Sequence, residues 1–412
     1  MSPAHALMTR RRFTYRTRLS RPASRRLDGI DLARALAIIG MFYMHTWGHL
    51  WGDNLLYNAF EGRSSILFAV LAGISVVLLT KSRDTLTSVL QLVGRGVILV
   101  GIGLAISLDS VGPIVILVTY GFLYILVAPL VFRLNLMITT IAAAAAALFL
   151  PLFSFELRRV LPDPPAYGAT PTLALIANGQ WSEFWQYLFA TGLFPLMTWT
   201  PVFLAGVAAG KFLFTTDQAA RWLAVIGAPL FLLGYGGSWL YLHLSDFQER
   251  YSAFHPDGAV ATDFLLHNAY GVTPTDWYTW LFLYVPHSGS IAEILSSTGI
   301  SLFVIGLCLI ACRTPLFNDL VYPLRDLGKM PLTAYVGHIL AIGYLNANGH
   351  NIAEPGFALI NLLGPIVFAM IWFRLWRRGP IEQLMYWALA PLSRLSARLR
   401  TVSGTSASGA RR

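Results

Sequence analysis

Hydrophobic residues in this chain fall in long runs separated by short polar or proline-containing stretches. A helix needs about 20 apolar residues to cross a bilayer. Ten runs approach that length: 29–49, 63–80, 88–108, 111–132, 135–153, 186–213, 221–243, 289–312, 328–346 and 356–376. The pattern predicts an all-α fold, a polytopic membrane bundle of about ten transmembrane helices. The run 186–213 holds Pro195 and Pro201. It reads either as one span or as a re-entrant piece followed by a span, which would make eleven. Such breaks are tolerated at membrane depth only where protein buries the freed backbone groups.

Composition agrees with lipid as the solvent. The chain is 56% hydrophobic and 12% charged, against about 25% charged in soluble proteins. Its 12 Trp and 17 Tyr suit the headgroup layer. The net charge of +10 sits mostly at the two ends: eight of the 30 Lys and Arg lie in 10–26 and eight more in 374–412. A nucleic-acid binder would spread its cations over a folded face, so no nucleic-acid partner is expected. Residues 1–27 read as a basic, disordered cytoplasmic tail, 28–384 as the transmembrane domain and 385–412 as a second basic cytoplasmic tail.

With ten spans, the connections on one side hold Lys81, Arg83, Arg133, Lys211, Arg313, Arg325 and Lys329. The longer connections opposite hold only Arg158, Arg159 and Arg250. Excess cations mark cytoplasmic loops. The expectation is therefore a multi-pass protein of the cell membrane with both termini cytoplasmic, and with two long outer segments at 154–185 and 244–288. Cys308 and Cys312 lie one turn apart in an apolar run and read as packing residues.

The first span carries the most chemistry. Ionisable residues in a spanning helix are expensive and mark function by default. Arg34 and His45 are eleven residues apart, almost three full turns, so they project from nearly one face, roughly 16 Å apart along the axis. His49 is one turn further on. A cation near the cytoplasmic end and an imidazole in the outer half suit an acyl-CoA donor. Arg34 would pair with a phosphate through its planar fork, and the thioester arm would reach His45. Histidine is suited to general-base work near neutral pH and can also be acylated as a covalent relay. Both routes stay open. The plainer alternatives are an Arg34 that snorkels to the headgroups and a His45 that only packs.

The stretch Arg26-Leu27-Asp28-Gly29-Ile30-Asp31-Leu32-Ala33-Arg34-Ala35-Leu36-Ala37 resembles the opening of transmembrane acyltransferases. These include the heparan-α-glucosaminide N-acetyltransferase catalytic domain and related bacterial membrane proteins. Glu61 to Phe68 with Leu71 to Ser75, Leu327-Gly328-Lys329-Met330-Pro331-Leu332-Thr333-Ala334-Tyr335, and Gly379-Pro380-Ile381-Glu382 are similar to further motifs of that group. Ala35 stands where the group usually has Gly. The resemblance implies transfer of an acyl group, acetyl foremost, from cytoplasmic acyl-CoA to a sugar or glycolipid of the envelope. It assigns the donor-side cation to Arg34 and the helix-end histidine to His45.

Other polar residues fill in this reading. Arg95 and Lys329 are candidates for the donor phosphates beside Arg34. Arg63, Tyr335 and His338 are candidates for the acceptor side, and His49 would assist His45. Thr333 could line the same cavity, and Glu293 could pair with a polar group in the bundle. His255, His267 and His287 lack metal-ligand spacing, so no metal is expected. No permanently bound cofactor is expected either, acetyl-CoA being a co-substrate. Expected partners are membrane lipids, acyl-CoA and an envelope glycan or glycolipid, and a homodimer is allowed. The alternative function is a secondary transporter or exporter of an envelope precursor, and a third reading is a non-catalytic scaffold. Heavy use of Arg over Lys points to a GC-rich bacterial genome.

Overall fold

Each of the ten apolar runs contains a helix in the computed structural model, which describes residues 28–47, 55–107, 112–161, 168–254, 266 and 271–392. His49, His255, His267, the tail 1–27 and most of 385–412 lie outside the described residues. The helices that matter below are α1 (Asp28–Thr46), α2 (Arg63–Thr80), α3 (Thr85–Ile106), α4 (Leu117–Val131), α5 (Leu136–Val160), α6 (Trp181–Thr191), α7 (Leu196–Phe212), α8 (Ala219–Leu244), α9 (Ile291–Ala311), α10 (Tyr322–Gly328), α11 (Pro331–Ala347) and α12 (Pro355–Leu375). No strand occurs among the described residues.

Six of these helices are long and apolar enough to cross a membrane: α2, α3, α5, α8, α9 and α12. The count becomes seven if α6 and α7, bent by 48° at Pro195, are one span. The protein is a multi-pass membrane protein, with fewer qualifying spans than the ten apolar runs. Helix α4 and the 17-residue α11 are short. Helix α1 has 19 residues but carries Asp28, Asp31, Arg34 and His45. It sits in the middle of the bundle against α2, α9 and α10, where most of it is buried. A helix shielded by protein need not be apolar all round, because its polar groups find partners there.

The outer helices show the opposite pattern. Leu148 and Phe149 on α5 and Leu363 and Ile371 on α12 are exposed, as a lipid-facing surface would be. Close crossings hold the interior. A Cβ at Gly73 of α2 would overlap the Phe203 carbonyl of α7, and one at Gly206 of α7 would overlap the Val70 carbonyl of α2. Small residues permit such backbone approach between membrane helices.

The chain does not end its packing at 384. Residues 380–392 are helical, with Met385 and Leu389 buried and the Leu389 carbonyl accepting from Gln91 Nε2 of α3 at 2.8 Å. At the other end, the expected surface cap over 244–288 has a small core of its own: Phe247, Tyr251, Trp280, Leu283 and Val285. Arg158 of α5, itself buried, anchors this cap by donating to the Thr273 carbonyl at 2.5 Å and to Thr273 Oγ1 at 3.1 Å.

Candidate functional site

Four sequence motifs meet around α1 and α11. Gly328 lies so close to α1 that a Cβ there would overlap the Asp31 carbonyl. The close backbone approach thus falls on Gly328, opposite Ala35, and Ala35 itself is fully buried. Asp28 accepts from Arg325 at 2.7 Å and from Asn318 at 3.2 Å. Glu382 closes the start of α11: Oε1 accepts from the Leu332 and Thr333 amides at 2.8 and 3.2 Å, and Oε2 from Thr333 Oγ1 at 2.6 Å. Pro331 at the helix start has no N–H to leave unsatisfied. Thr333 is therefore a helix-start residue held by Glu382 rather than a cavity residue.

This framework fixes the register of α11, and with it His338. His338 is 2% exposed. Its Nε2 lies 2.8 Å from His45 Nδ1, with the two rings nearly parallel and 5.1 Å apart. Phe42 of α1 also stacks on His338, with ring centroids 4.1 Å apart. The His338 Nδ1 in turn meets the Asn361 amide of α12 at about 3 Å, with Oδ1 at 3.1 Å and Nδ2 at 3.0 Å. Three helices thus supply a chain, Asn361–His338–His45.

The orientation of the amide decides what the chain does. If Asn361 presents its oxygen, His338 Nδ1 carries the proton and its Nε2 accepts from His45 Nδ1–H. His45 Nε2 is then a lone-pair nitrogen, suited to taking a proton or an acyl group. If Asn361 presents its NH₂, every proton in the chain moves one place, and His45 Nε2 becomes a donor. A partner that fixes the tautomer of a neighbouring imidazole in this way is a common device.

His45 opens into a cavity of about 390 Å³. Its wall includes Tyr57, Glu61, Ser65, His287, Tyr335 and Asn346. Tyr335 Oη accepts from the Ile116 amide at 3.1 Å. Apolar walls with a few convergent polar groups are the usual form of a small-molecule site.

His287 approaches from the cap. It is the one non-glycine residue with positive φ among the described residues, at 59°, a region in which histidine is enriched several-fold but which remains uncommon. Three contacts hold it there. Its amide donates to Glu293 Oε1 at 2.7 Å, its carbonyl accepts from the Gly271 amide, and Glu293 Oε2 accepts from the Gly289 amide at 2.7 Å. Ser290, the N-cap of α9, accepts from the Glu293 amide at 2.9 Å. Glu293 thus pairs with backbone amides. Burial pushes the His287 imidazole down to about 4, so the ring is neutral at pH 7.

The remaining expected site residues lie elsewhere. Arg34 donates to Asp31 Oδ1 and to Ser75 Oγ, both at 2.9 Å, and does not line the His45 cavity. Arg95 of α3 lies within electrostatic reach of Arg34, Tyr124 and Glu382. Lys329 pairs with the buried Asp326 at 2.5 Å. Arg63 sits in a box of aromatic rings, with its guanidinium 5.2–5.6 Å from the centroids of Phe231, Tyr235 and Tyr284. It does not line the cavity either. The structure therefore brings together His45, His338 and Tyr335, and it adds Asn361 and His287. Asn361 was not among the expected site residues; its one signal in the sequence was its place as a lone amide in an apolar run. His287 carried no signal in its spacing. No group of three or more metal-ligating side chains occurs among the described residues.

Comparison with known families gives two matches. Residues 26–243 match the heparan-alpha-glucosaminide N-acetyltransferase catalytic family. Residues 258–390 match a family of unknown function, DUF418. No curated protein matches the chain.

Proposed function

Because the chain belongs to the heparan-alpha-glucosaminide N-acetyltransferase catalytic family, we propose that it is a membrane acetyltransferase whose reacting centre is the cavity at His45. Acetyl-CoA is the donor and a sugar or glycolipid of the envelope is the acceptor. One observation carries the reading: a histidine that opens into a cavity and is held from behind by a buried histidine and an amide.

The acceptor hydroxyl or amine attacks the thioester carbonyl while His45 Nε2 takes its proton. The C–S bond breaks, and the CoA thiolate leaves with the proton that His45 returns. In the covalent variant His45 Nε2 attacks the thioester carbonyl, the C–S bond breaks and CoA leaves as the thiolate; the acceptor then displaces the acyl group from Nε2, and its proton passes to the thiolate. In either case the Nδ1–H bond to His338 stabilises the positive charge that His45 gains. General-base assistance of this kind contributes about 10²–10⁴-fold.

The donor enters from the side of Arg34, Arg95 and Lys329, and the acceptor from the side of the 271–290 cap. The donor-side phosphates compete with Asp31 and Asp326 for these cations. The ten helical segments all cross the cell membrane, with both termini in the cytoplasm. The short α4 and α11 and the polar α1 are protected by their neighbours. The bent pair α6–α7 also suits a transport path, but a binding site for transport at the midplane is built from paired broken helices.

The test is incubation of membranes with labelled acetyl-CoA, comparing wild type with His45→Ala. Label should pass to an envelope glycan or lipid with the wild type and be lost with the variant. Equal labelling removes His45 from the reaction.

A further inference from the structure

A second basin lies at the far end of α2. Ser64 and Ser65 of this helix line the His45 cavity, while Val77 and Thr80 line the other basin. Fifteen residues separate Ser65 from Thr80, roughly 22 Å of helix. The basin has a volume of about 650 Å³. It forms where the α2–α3 turn, the α4–α5 turn and the end of α7 converge.

Four cations ring it: Lys81, Arg83, Arg133 and Lys211. The first three are exposed. None of the four is paired with a carboxylate among the described residues. Asp84, the one acidic wall residue, is committed to capping α3, where it accepts from the Thr87 amide at 3.0 Å and from Thr87 Oγ1 at 2.6 Å.

The cations are also held in place. Lys81 Nζ sits 3.2 Å from the Phe214 ring centroid. Arg133 donates to Thr85 Oγ1 at 2.7 Å. Lys211 donates to the Val131 and Leu134 carbonyls at 2.8 and 2.5 Å and to Thr139 Oγ1 at 2.8 Å. Two long helices, α3 and α5, begin at the basin and point their positive ends into it. Next in sequence to the wall residues Thr85 and Leu136, Leu86, Met137 and Ile138 are exposed apolar side chains, as expected where a protein meets the headgroup layer.

Like charges repel, so four cations around one hollow with no carboxylate partner favour an anion joining them; Lys211, whose three N–H bonds go to the protein, contributes charge alone. Clustered guanidinium and ammonium groups at helix starts match a phosphate group. The volume exceeds what one phosphate fills. We propose that this basin is a binding site for a ligand carrying a diphosphate or a cluster of phosphates, distinct from the His45 cavity and from the Arg34–Asp31 pair. The ligand is either a soluble nucleotide-type phosphate or the headgroup of an anionic phospholipid.

The experiment uses the full chain, purified into nanodiscs of zwitterionic phosphatidylcholine. Binding of radiolabelled inorganic diphosphate and of ADP is measured for wild type, for the double variant Arg83→Gln with Arg133→Gln, and for the charge-keeping Arg83→Lys with Arg133→Lys. In parallel, discs of equal phosphatidylcholine and phosphatidylglycerol are assayed for anionic lipid retained by each protein. Melting curves check that the variants fold, and Lys81→Gln, at an exposed position, serves as a further variant.

A soluble-phosphate site predicts binding that weakens at least tenfold in the glutamine variant, survives in the lysine variant and falls with added salt. A headgroup site predicts no tight binding of diphosphate or ADP but phosphatidylglycerol enrichment by the wild type that the glutamine variant loses. Equal binding and equal lipid retention by all the folded proteins would overturn the proposal. Acyl transfer is not the readout, so this outcome is independent of the reading at His45.

Discussion

His45 and His338 stand 293 positions apart in the chain and 2.8 Å apart in space. The pair also joins the two matched segments, since His45 falls in the first and His338 in the second. Neither segment contains the whole chain of donors and acceptors.

Asn361 sets the proton on His338, and this gives the first prediction. Asn361→Leu should lower acyl transfer by about 10–100-fold, the size of effect typical of groups that orient a functional imidazole, with little change in melting temperature. Asn361→Asp places a carboxylate beside His338 and favours the protonated imidazole pair. The unprotonated His45 then persists only at higher pH, so the acidic limb of the rate profile should move upward. Rates measured from pH 5 to 9 check this. Superimposable profiles for wild type and Asn361→Asp would separate Asn361 from the chemistry.

Gly328 meets the Asp31 carbonyl with no room for a methyl group. Backbone cannot yield as a side-chain tip can, so Gly328→Ala should cost about 1–3 kcal/mol or more. Gly337, on the exposed side of α11, faces open space, and Gly337→Ala should be neutral or slightly stabilising, since alanine is the better helix former. Thermal melts of the two variants in one detergent give the comparison. Equal melting temperatures would contradict the packing argument.

The depressed His287 gives a pH dependence. Its folded value near 4 lies below the ordinary 6.5, so the unfolded chain binds the extra proton. The stabilisation is therefore fully present above about pH 6.5 and is lost as pH falls from there toward 4. Wild type should melt at lower temperature at pH 5 than at pH 7. His287→Gln, which has no proton to take up, should show a smaller drop. The same drop in both proteins would mean that other groups dominate.

Much of the fold was legible because apolar length is a local property. Each of the ten runs contains a helix among the described residues, and even the break at Pro195 was visible. The number that qualify as spans was harder to read, because α1 replaces lipid contact by protein contact and so tolerates Asp31 and Arg34. The Arg34–Asp31 pair lies at a spacing of three and was available from the sequence, yet one-face geometry alone favoured a link between Arg34 and His45. Arg34 turns to Ser75 on α2 and His45 to His338 on α11. A helix start closed by a residue 49 positions away, as Thr333 is by Glu382, depends on the tertiary fold. So does the role of Arg63, which is set by three rings from two distant segments.

The Glu382 clasp gives the last prediction. Glu382→Ala leaves two amides and a hydroxyl at the start of α11 without their acceptor, a loss on the order of 1–2 kcal/mol by comparison with helix caps. Transfer should fall more than stability does, and the ratio of rate loss to melting shift measures this.

That disproportion follows from leverage. Each residue by which α11 slips along its axis swings His338 through about 100°, far beyond what a 2.8 Å contact survives. A carboxylate just past the last long helix therefore acts as a set-screw for an imidazole deep in the bundle. Trimming the protein's carboxyl end would detune the centre without touching any group that meets substrate.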